Sequence, residues 1–203
     1  MKITMIGHGN VGSSLLRKWH ACGHQIAIAA RDTNAEKLQD FRKEGIEIIS
    51  INESLKNTDV VVYAAPAHSA VGIAKQIGEL PGKIIIDTSN SVFKKPEPYA
   101  TAFAALQDLT KANLVKCFNS TGVENMQNPS YSNAVADMFV AGNSVKGKEI
   151  AVQLAKDLGF AECYNFGGDD KVLLLEQLCA IWINLAMQQG LGRNIAFKLL
   201  QRA

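Results

Sequence analysis

Three glycines near the start of the chain are spaced G-x-G-x-x-G, in the run Gly7-His8-Gly9-Asn10-Val11-Gly12. The run follows a short apolar segment, Lys2–Ile6, and opens an amphipathic one, Val11–Cys22, with Val11, Leu15, Leu16 and Trp19 on one face. A strand–loop–helix turn of this kind aims free backbone N–H groups out of a helix N-terminus, where the helix dipole also favours an anion. Gly7 permits the tight turn, Gly9 lets a diphosphate approach the backbone, and Gly12 lets helix and strand pack closely. The expected chemistry is capture of a dinucleotide pyrophosphate by Gly7, His8, Gly9, Asn10, Val11 and Gly12.

A dinucleotide site of this type has a second recognition point at the end of the second strand, roughly 20 residues past the loop. Ala30-Arg31-Asp32 stands there. A small residue followed by arginine leaves room for a ribose 2′-phosphate and offers a planar, bidentate counter-charge. NADP(H) is therefore the expected cofactor, with Arg31 on the phosphate. Asp32 argues the other way: turned inward, it would hydrogen-bond ribose hydroxyls and favour NAD. Lys37, on the next helix, reads as a solvated lysine that adds positive charge.

On the far side of the crevice, the fourth strand ends in Ala64-Ala65-Pro66-Ala67-His68 and the fifth in Asp87-Thr88-Ser89-Asn90. Ala64, Ala65 and Pro66 are small or rigid enough for a cofactor to lie flat on the chain, and Ser89 and Asn90 offer hydrogen bonds to a nicotinamide. His68 is the histidine placed to contact the cofactor or transfer a proton; starting the following helix is its structural alternative. A sixth strand ends in Lys116-Cys117-Phe118-Asn119-Ser120-Thr121-Gly122, with Asn119 the candidate beside a second ligand. His68 and Asn119 are thus the two candidate catalytic residues. No metal motif, no Ser–His–Asp order and no paired carboxylates stand out, and hydride transfer does not need them.

These positions require a scaffold of alternating strands and helices. After β-type runs at 2–6, 24–30, 46–49, 59–65 and 83–87, strands are expected at 113–118, 137–141 and 161–165. Between them, Asn34 caps a helix to about Glu44, 52–57 is a helical turn, and 69–80, 99–110 and 146–158 are helices. Gly122–Asn133 reads as irregular. From Asp169 onward the pattern is helical, with a break at Gly190-Leu191-Gly192 and a terminal helix Arg193–Arg202. The alternation predicts an α/β fold: a Rossmann-type, doubly wound, mostly parallel sheet with C-terminal helices. Residues 1–167 form the NADP-binding domain, and 168–203 a helical extension packed on it or on a partner subunit.

The totals agree with a globular domain. The chain has 203 residues, 47% hydrophobic and 20% charged, with a net charge of +2 that points to neither nucleic acid nor a membrane surface. With the first strand beginning beside Met1, no leader is expected, and no apolar run approaches the roughly 20 residues that span a bilayer. Four dispersed cysteines, Cys22, Cys117, Cys163 and Cys179, read as reduced core residues of a cytoplasmic protein.

With these residues in place, the chain resembles the NADPH-dependent deazaflavin (coenzyme F420) reductases and their relatives. The resemblance rests on Met1-Lys2-Ile3 with the glycine loop, Ala30-Arg31, Val115-Lys116-Cys117-Phe118-Asn119, Met138-Phe139-Val140-Ala141-Gly142, and Gly190-Leu191-Gly192 with Ile195–Leu200. It extends to the NADPH-binding domains of membrane metalloreductases and, more distantly, to pyrroline-carboxylate reductases. It implies that Gly9, Asn10 and Val11 lie along the pyrophosphate, that Arg31 holds the 2′-phosphate, that Ala65 and Pro66 border the nicotinamide, and that Asn119 lies near the second substrate. The chain departs from the family pattern in carrying Ala30 and Asp32, rather than a second basic or hydroxyl residue, beside the arginine.

The expected function is hydride transfer between NADPH and a planar acceptor, coenzyme F420 or a flavin. The alternatives are a small imine or carbonyl reductase, with His68 as proton donor, and a non-catalytic NADP-sensing module. Val172–Met187 carries more apolar surface than one helix face can bury, so a homodimer through the C-terminal helices is expected.

Overall fold

The computed structural model describes residues 1–51, 55 and 57–202. Its strands are β1 Lys2–Ile6, β2 Gln25–Ala30, β3 Glu47–Ser50, β4 Val60–Tyr63, β5 Ile84–Asp87, β6 Asn113–Lys116, β7 Met138–Ala141 and β8 Cys163–Gly167. They form one sheet in the order β3-β2-β1-β4-β5-β6-β7-β8. β3 through β6 pair in parallel, β7 runs antiparallel to β6 with Lys116 opposite Ala141, and β8 is parallel to β7. This is the doubly wound, mostly parallel Rossmann-type sheet that the alternation predicts.

The central strands are continuous apolar runs because both of their faces are covered. In β4, Val60 and Val62 belong to one core, and Val61 and Tyr63 to the other. The first core receives α1 (Asn10–Ala21), α2 (Gln39–Lys43), α5 (Val123–Gln127) and α6 (Val145–Asp157). The second receives α3 (Ala70–Ile77), α4 (Ala102–Thr110) and α7 (Val172–Ile183). Trp19 fixes α1 in the first core: it is fully buried, meets Phe118 edge-on at 5.3 Å and donates from Nε1 to the Leu154 carbonyl on α6 at 3.1 Å. The strand order reverses between β1 and β4, so a crevice opens at their carboxyl ends, the usual ligand position in such sheets.

Several elements differ from the sequence expectation. Asn34 does not cap a helix. Asp32 Oδ1 accepts the Asn34 N–H at 2.9 Å in a side-chain-closed turn, and the chain then takes a 3-10 turn at Glu36–Leu38 before α2. α4 begins at Ala102 rather than Tyr99 because Thr101 Oγ1 caps it, accepting the Ala104 N–H at 3.1 Å. β6 stops at Lys116, two residues before left-handed Phe118 (φ 59°). Gly122–Asn133 is not wholly irregular, since α5 lies within it. Asn125 holds α5 in place, donating from Nδ2 to Thr121 Oγ1 at 2.7 Å and to the Ile195 carbonyl at 2.8 Å. Of the turn expected at 52–57, residues 52, 53, 54 and 56 lie outside the described residues.

The C-terminal extension is helical only in part. α7 continues through a π-helical turn, Asn184–Gln188, and then Gly190 and Gly192 take positive φ (76° and 80°) and turn the chain out of the helix. The expected terminal helix 193–202 is absent; the tail runs irregularly over α5 and β7. Its polar groups are satisfied by tertiary partners instead of by a helical ladder. The Ile195 carbonyl accepts from Trp182 Nε1 at 2.7 Å, the Phe197 carbonyl accepts the Asp137 N–H at 3.0 Å, and Asp137 accepts from both Lys198 Nζ and the Leu199 N–H at 2.8 Å. Among the cysteines, Cys117, Cys163 and Cys179 are buried free thiols, whereas Cys22 is exposed rather than part of the core. Among the described residues no helix is long and apolar enough to cross a membrane.

Candidate cofactor and substrate crevice

Each glycine of the loop meets a different steric demand. Gly7 has φ 99°, and a Cβ built on it would stand 2.6 Å from Ala64 C and Ala65 N at the end of β4. A Cβ on Gly12 would fall 2.3 Å from the Gly7 carbonyl oxygen. Neither position tolerates a side chain without parting β1, α1 and β4. Gly9 is the opposite case: nothing lies within 4 Å of its Cβ direction, which is open space over the N-terminus of α1. The first α1 amides have no preceding turn to donate to, so they face the same space. The Ser13 hydroxyl steadies the loop from behind, donating to the His8 carbonyl at 2.7 Å. This cradle, blocked at two glycines and open at the third, fits a pyrophosphate.

The cavity in front of it encloses about 1440 Å³. The expected cofactor residues other than Gly12 line it: Gly7, His8, Gly9, Asn10 and Val11 of the loop; Arg31 and Asp32; Ala64, Ala65, Pro66 and His68; Ser89 and Asn90. Gly12 is buried beneath the loop instead, where it meets Gly7.

At the β2 end the cavity is basic. Lys37, exposed to solvent as expected, stands in its wall with Arg31 and His8. Burial first, and then the charge of Lys37, hold the His8 imidazole below its usual pKa. His8 is therefore neutral at pH 7 and packs edge-on against Phe41 at 6.1 Å. Asp32, the residue that argued for NAD, uses Oδ1 to close the Asn34 turn. Sequence reasoning missed Ile51 and Ile73, whose apolar side chains join the same wall; nothing in their local pattern sets them apart from core residues.

Residues 2–91 match the family model described as NADP oxidoreductase coenzyme F420-dependent. The matched segment takes in β1 through β5, and over it the chain is similar to that family. It is 25% identical over 223 aligned positions to the F420-dependent NADP reductase of Methanocaldococcus jannaschii, covering 96% of this chain and 98% of that one. It is also 25% identical over 160 residues to metalloreductase STEAP2 of Mus musculus, a match that takes in 78% of this chain but 32% of that protein. The chain thus spans about a third of the length of the metalloreductases it matches. Among solved structures, an Arthrobacter sp. FB24 protein provisionally named an F420-dependent NADP-reductase superposes with a TM-score of 0.83 at 24% identity, covering 99% of this chain and all of that one.

The β4 and β5 ends close the other half of the crevice. Tyr63 supports the Ala64–Pro66 wall from inside, donating from its hydroxyl to the Pro66 carbonyl at 2.8 Å. His68 lies exposed in a 3-10 turn at the mouth of α3, and its ring has no hydrogen-bond partner among the described residues. Asn119 is not in the cavity wall. It is buried behind Asn90 and donates from Nδ2 to Asn90 Oδ1 at 2.9 Å, while Asn90 Nδ2 donates to the Asn119 carbonyl at 3.0 Å. The structure thus makes Asn90 the wall residue and Asn119 its brace.

The sequence reading also missed a buried ionic cluster behind this wall. Lys116 Nζ is fully buried and faces Asp87 Oδ2 at 2.6 Å, the Ser89 carbonyl at 2.7 Å and Glu176 Oε1 at 2.7 Å. Asp87 Oδ1 accepts from the Ser89 N–H and hydroxyl at 2.8 and 2.7 Å, and Glu176 Oε2 accepts the Ser91 N–H at 2.8 Å. Burial alone would lower the Lys116 pKa, but Asp87 and Glu176 outweigh it and hold the ammonium above its usual value. The cluster fixes both ends of the short segment Ser89–Ser91. One signal was legible: a lysine in the otherwise apolar strand Leu114-Val115-Lys116-Cys117 is anomalous unless paired.

The open face at Gly9 yields a direct expectation. In Gly9→Val the new side chain meets no protein atom nearby, so the melting temperature should stay within a few degrees of the parent while nucleotide affinity is lost. Thermal unfolding beside a fluorescence titration with NADPH measures both. Unchanged affinity would remove the pyrophosphate from this loop.

Proposed function

We propose that this protein transfers a hydride between NADP(H) and a second, planar acceptor of the deazaflavin or flavin class. The observation that carries the reading is the combination of an open Gly9 cradle with Arg31, Lys37 and His8 gathered at the β2 end of the same cavity. Arg31 and Lys37 supply the counter-charge for a 2′-phosphate, and neutral His8 offers a hydrogen bond beside them. When bound, the dinucleotide supplies the hydride; the chain binds it, orients it and keeps water from the reacting ring. The match to the family model and the named reductase relative support the same reading.

The planar acceptor is supported by what lines the far end. Ala64, Ala65 and Pro66 present a small, flat wall, and Ser89 and Asn90 present amide and hydroxyl groups. Among the described residues no carboxylate is hydrogen-bonded to His68, so none of them gives it the coupled acid–base pair that protonation of an imine or carbonyl product would use. Face-to-face transfer depends on alignment, which can supply roughly 7–11 kcal/mol. The cavity, about 1440 Å³, is large enough for an extended dinucleotide.

The outer side of α7 completes the proposal. Leu173, Leu174 and Ile181 are exposed, with Met187 and Leu191 beyond them, while the inward side holds Val172, Leu175, Glu176, Cys179 and Trp182. The irregular tail leaves that outer row uncovered, and we assign it to pairing of two copies.

Three outcomes are expected. Arg31→Ala weakens NADPH by about 1–3 kcal/mol and leaves NADH nearly unchanged in parallel fluorescence titrations; equal losses for the two would remove the phosphate role. Bound NADPH is oxidised in single turnovers by a deazaflavin or flavin faster than by small imines or carbonyls, and His68→Ala slows that step by less than about tenfold, below the 10²–10⁴-fold typical of a general acid. A hundredfold loss at unchanged NADPH affinity would favour imine or carbonyl reduction instead. Light scattering over a dilution series finds a dimer that Leu174→Glu converts to monomer; a native monomer at micromolar concentration would end the pairing assignment.

A further inference from the structure

The Asp87–Lys116–Glu176 cluster does not balance its charge. Lys116 contributes one positive charge, and the two carboxylates contribute two negative ones. Three of the four carboxylate oxygens accept hydrogen bonds, Asp87 Oδ1 from the Ser89 N–H and hydroxyl, Asp87 Oδ2 from the Lys116 ammonium and Glu176 Oε2 from the Ser91 N–H, while Glu176 Oε1 stands 2.7 Å from the same ammonium as its ion-pair partner. The Asp87 and Lys116 side chains are fully buried and Glu176 is nearly so, leaving one net negative charge without water around it. Two titratable neighbours lie beside it. The Cys179 thiol is pushed up to about 11, by burial first and then by Glu176, with Lys116 only partly offsetting. The Tyr63 hydroxyl is raised by burial and then by Asp87.

This charge lies directly behind Ser89 and Asn90. Asp87 and Lys116 hold Ser89 by its N–H, hydroxyl and carbonyl, and Glu176 holds the next-but-one amide, at Ser91. Ser89 and Asn90 are the cavity wall on the side of the switch point away from Arg31, Lys37 and His8. With the 2′-phosphate held at the β2 end, the dinucleotide's other end faces this wall. The oxidised nicotinamide ring carries a positive charge that the reduced ring lacks.

Resting on the NADP(H) reading above, we propose that the Asp87–Lys116–Glu176 cluster is an electrostatic positioning device whose uncompensated negative charge stabilises the oxidised nicotinamide relative to the reduced one, biasing bound NADPH toward giving up its hydride. As the hydride leaves with both electrons for the acceptor, the ring gains a positive charge that the buried carboxylates attract. Lys116 and the backbone bonds hold those carboxylates where they cannot turn away or take up water. None of the three residues lines the cavity, so they act through the field and through the Ser89–Ser91 segment, not by contact.

The test compares NADP⁺ with NADPH on the same preparation of the full chain. Glu176→Gln and Asp87→Asn each remove one negative charge and keep the side-chain shape. In both variants NADP⁺ affinity is expected to fall relative to NADPH, on the order of tenfold for one unit charge felt through protein. The ratio is insensitive to the fraction of protein that is active, so a partly folded variant still reports it. Equilibrium titrations of each nucleotide give the ratio directly. A ratio unchanged in both variants, with the two affinities falling together, would reduce the cluster to a structural brace and overturn the proposal while leaving the cofactor reading intact. Binding of neither nucleotide by the native protein would overturn the cofactor reading and the proposal with it.

Discussion

The structure depends first on a close approach. The chain at Gly7 passes so near the end of β4 that a single added carbon would overlap the Ala64 and Ala65 backbone, and Gly12 presses as tightly on Gly7 from above. This contact brings α1, β1 and β4 together at the point where the strand order reverses, and the crevice exists because of it. Hydrophobic burial supplies the energy: Val60, Val61, Val62 and Tyr63 of β4 are fully buried, and each fully buried apolar side chain contributes roughly 1.5–3 kcal/mol. Burial alone would not place a helix N-terminus over open space; the missing side chains at Gly7 and Gly12 do that.

Local chemistry was the legible part of the sequence. That the glycine loop, Arg31, the Ala64–Pro66 wall and Ser89-Asn90 face one cavity could be read because each sits at the end of its own strand. The Lys116 cluster could not be read that way. It needs the β5–β6 register, which sets Asp87 opposite Lys116, and a glutamate from a helix some sixty residues later in the chain. Asn119 was misplaced for a related reason: the strand end was identified, but left-handed Phe118 turns the chain so that Asn119 points behind Asn90 rather than into the cavity. The terminal helix failed because helical periodicity in Ile195–Leu200 competes with tertiary acceptors and donors at Trp182, Asn125 and Asp137 that no local pattern records.

Charge is distributed along the crevice in one direction. Arg31, Lys37 and His8 gather at the β2 end, where an anionic ligand group would be held in partial contact with water. At the other end the charge is opposite in sign and fully enclosed. The two ends therefore act differently. The exposed cations are screened by salt and draw ligand in, whereas the enclosed carboxylates are screened little and act on whatever lies against Ser89 and Asn90. A chain of net charge +2 shows nothing of this polarity, because formal totals average over position.

α7 joins these features. Its inward side supplies Glu176, which fixes the Ser91 amide, and Leu175, which enters the second core; one residue away on the outward side stands the exposed Leu174. A buried ion pair is a poor source of net stability, since desolvation offsets most of its attraction, and an apolar trio would hold α7 on the sheet at least as well. What an apolar trio could not do is grip Ser89 and Ser91 by their backbone groups. The retention of a lysine and two carboxylates in this position is therefore explained by the geometry and field they impose on the crevice wall, not by the energy they add to the fold. The cost is a helix that cannot shift without unpairing a buried charge, so the Ser89–Ser91 segment and α7 must move together or not at all.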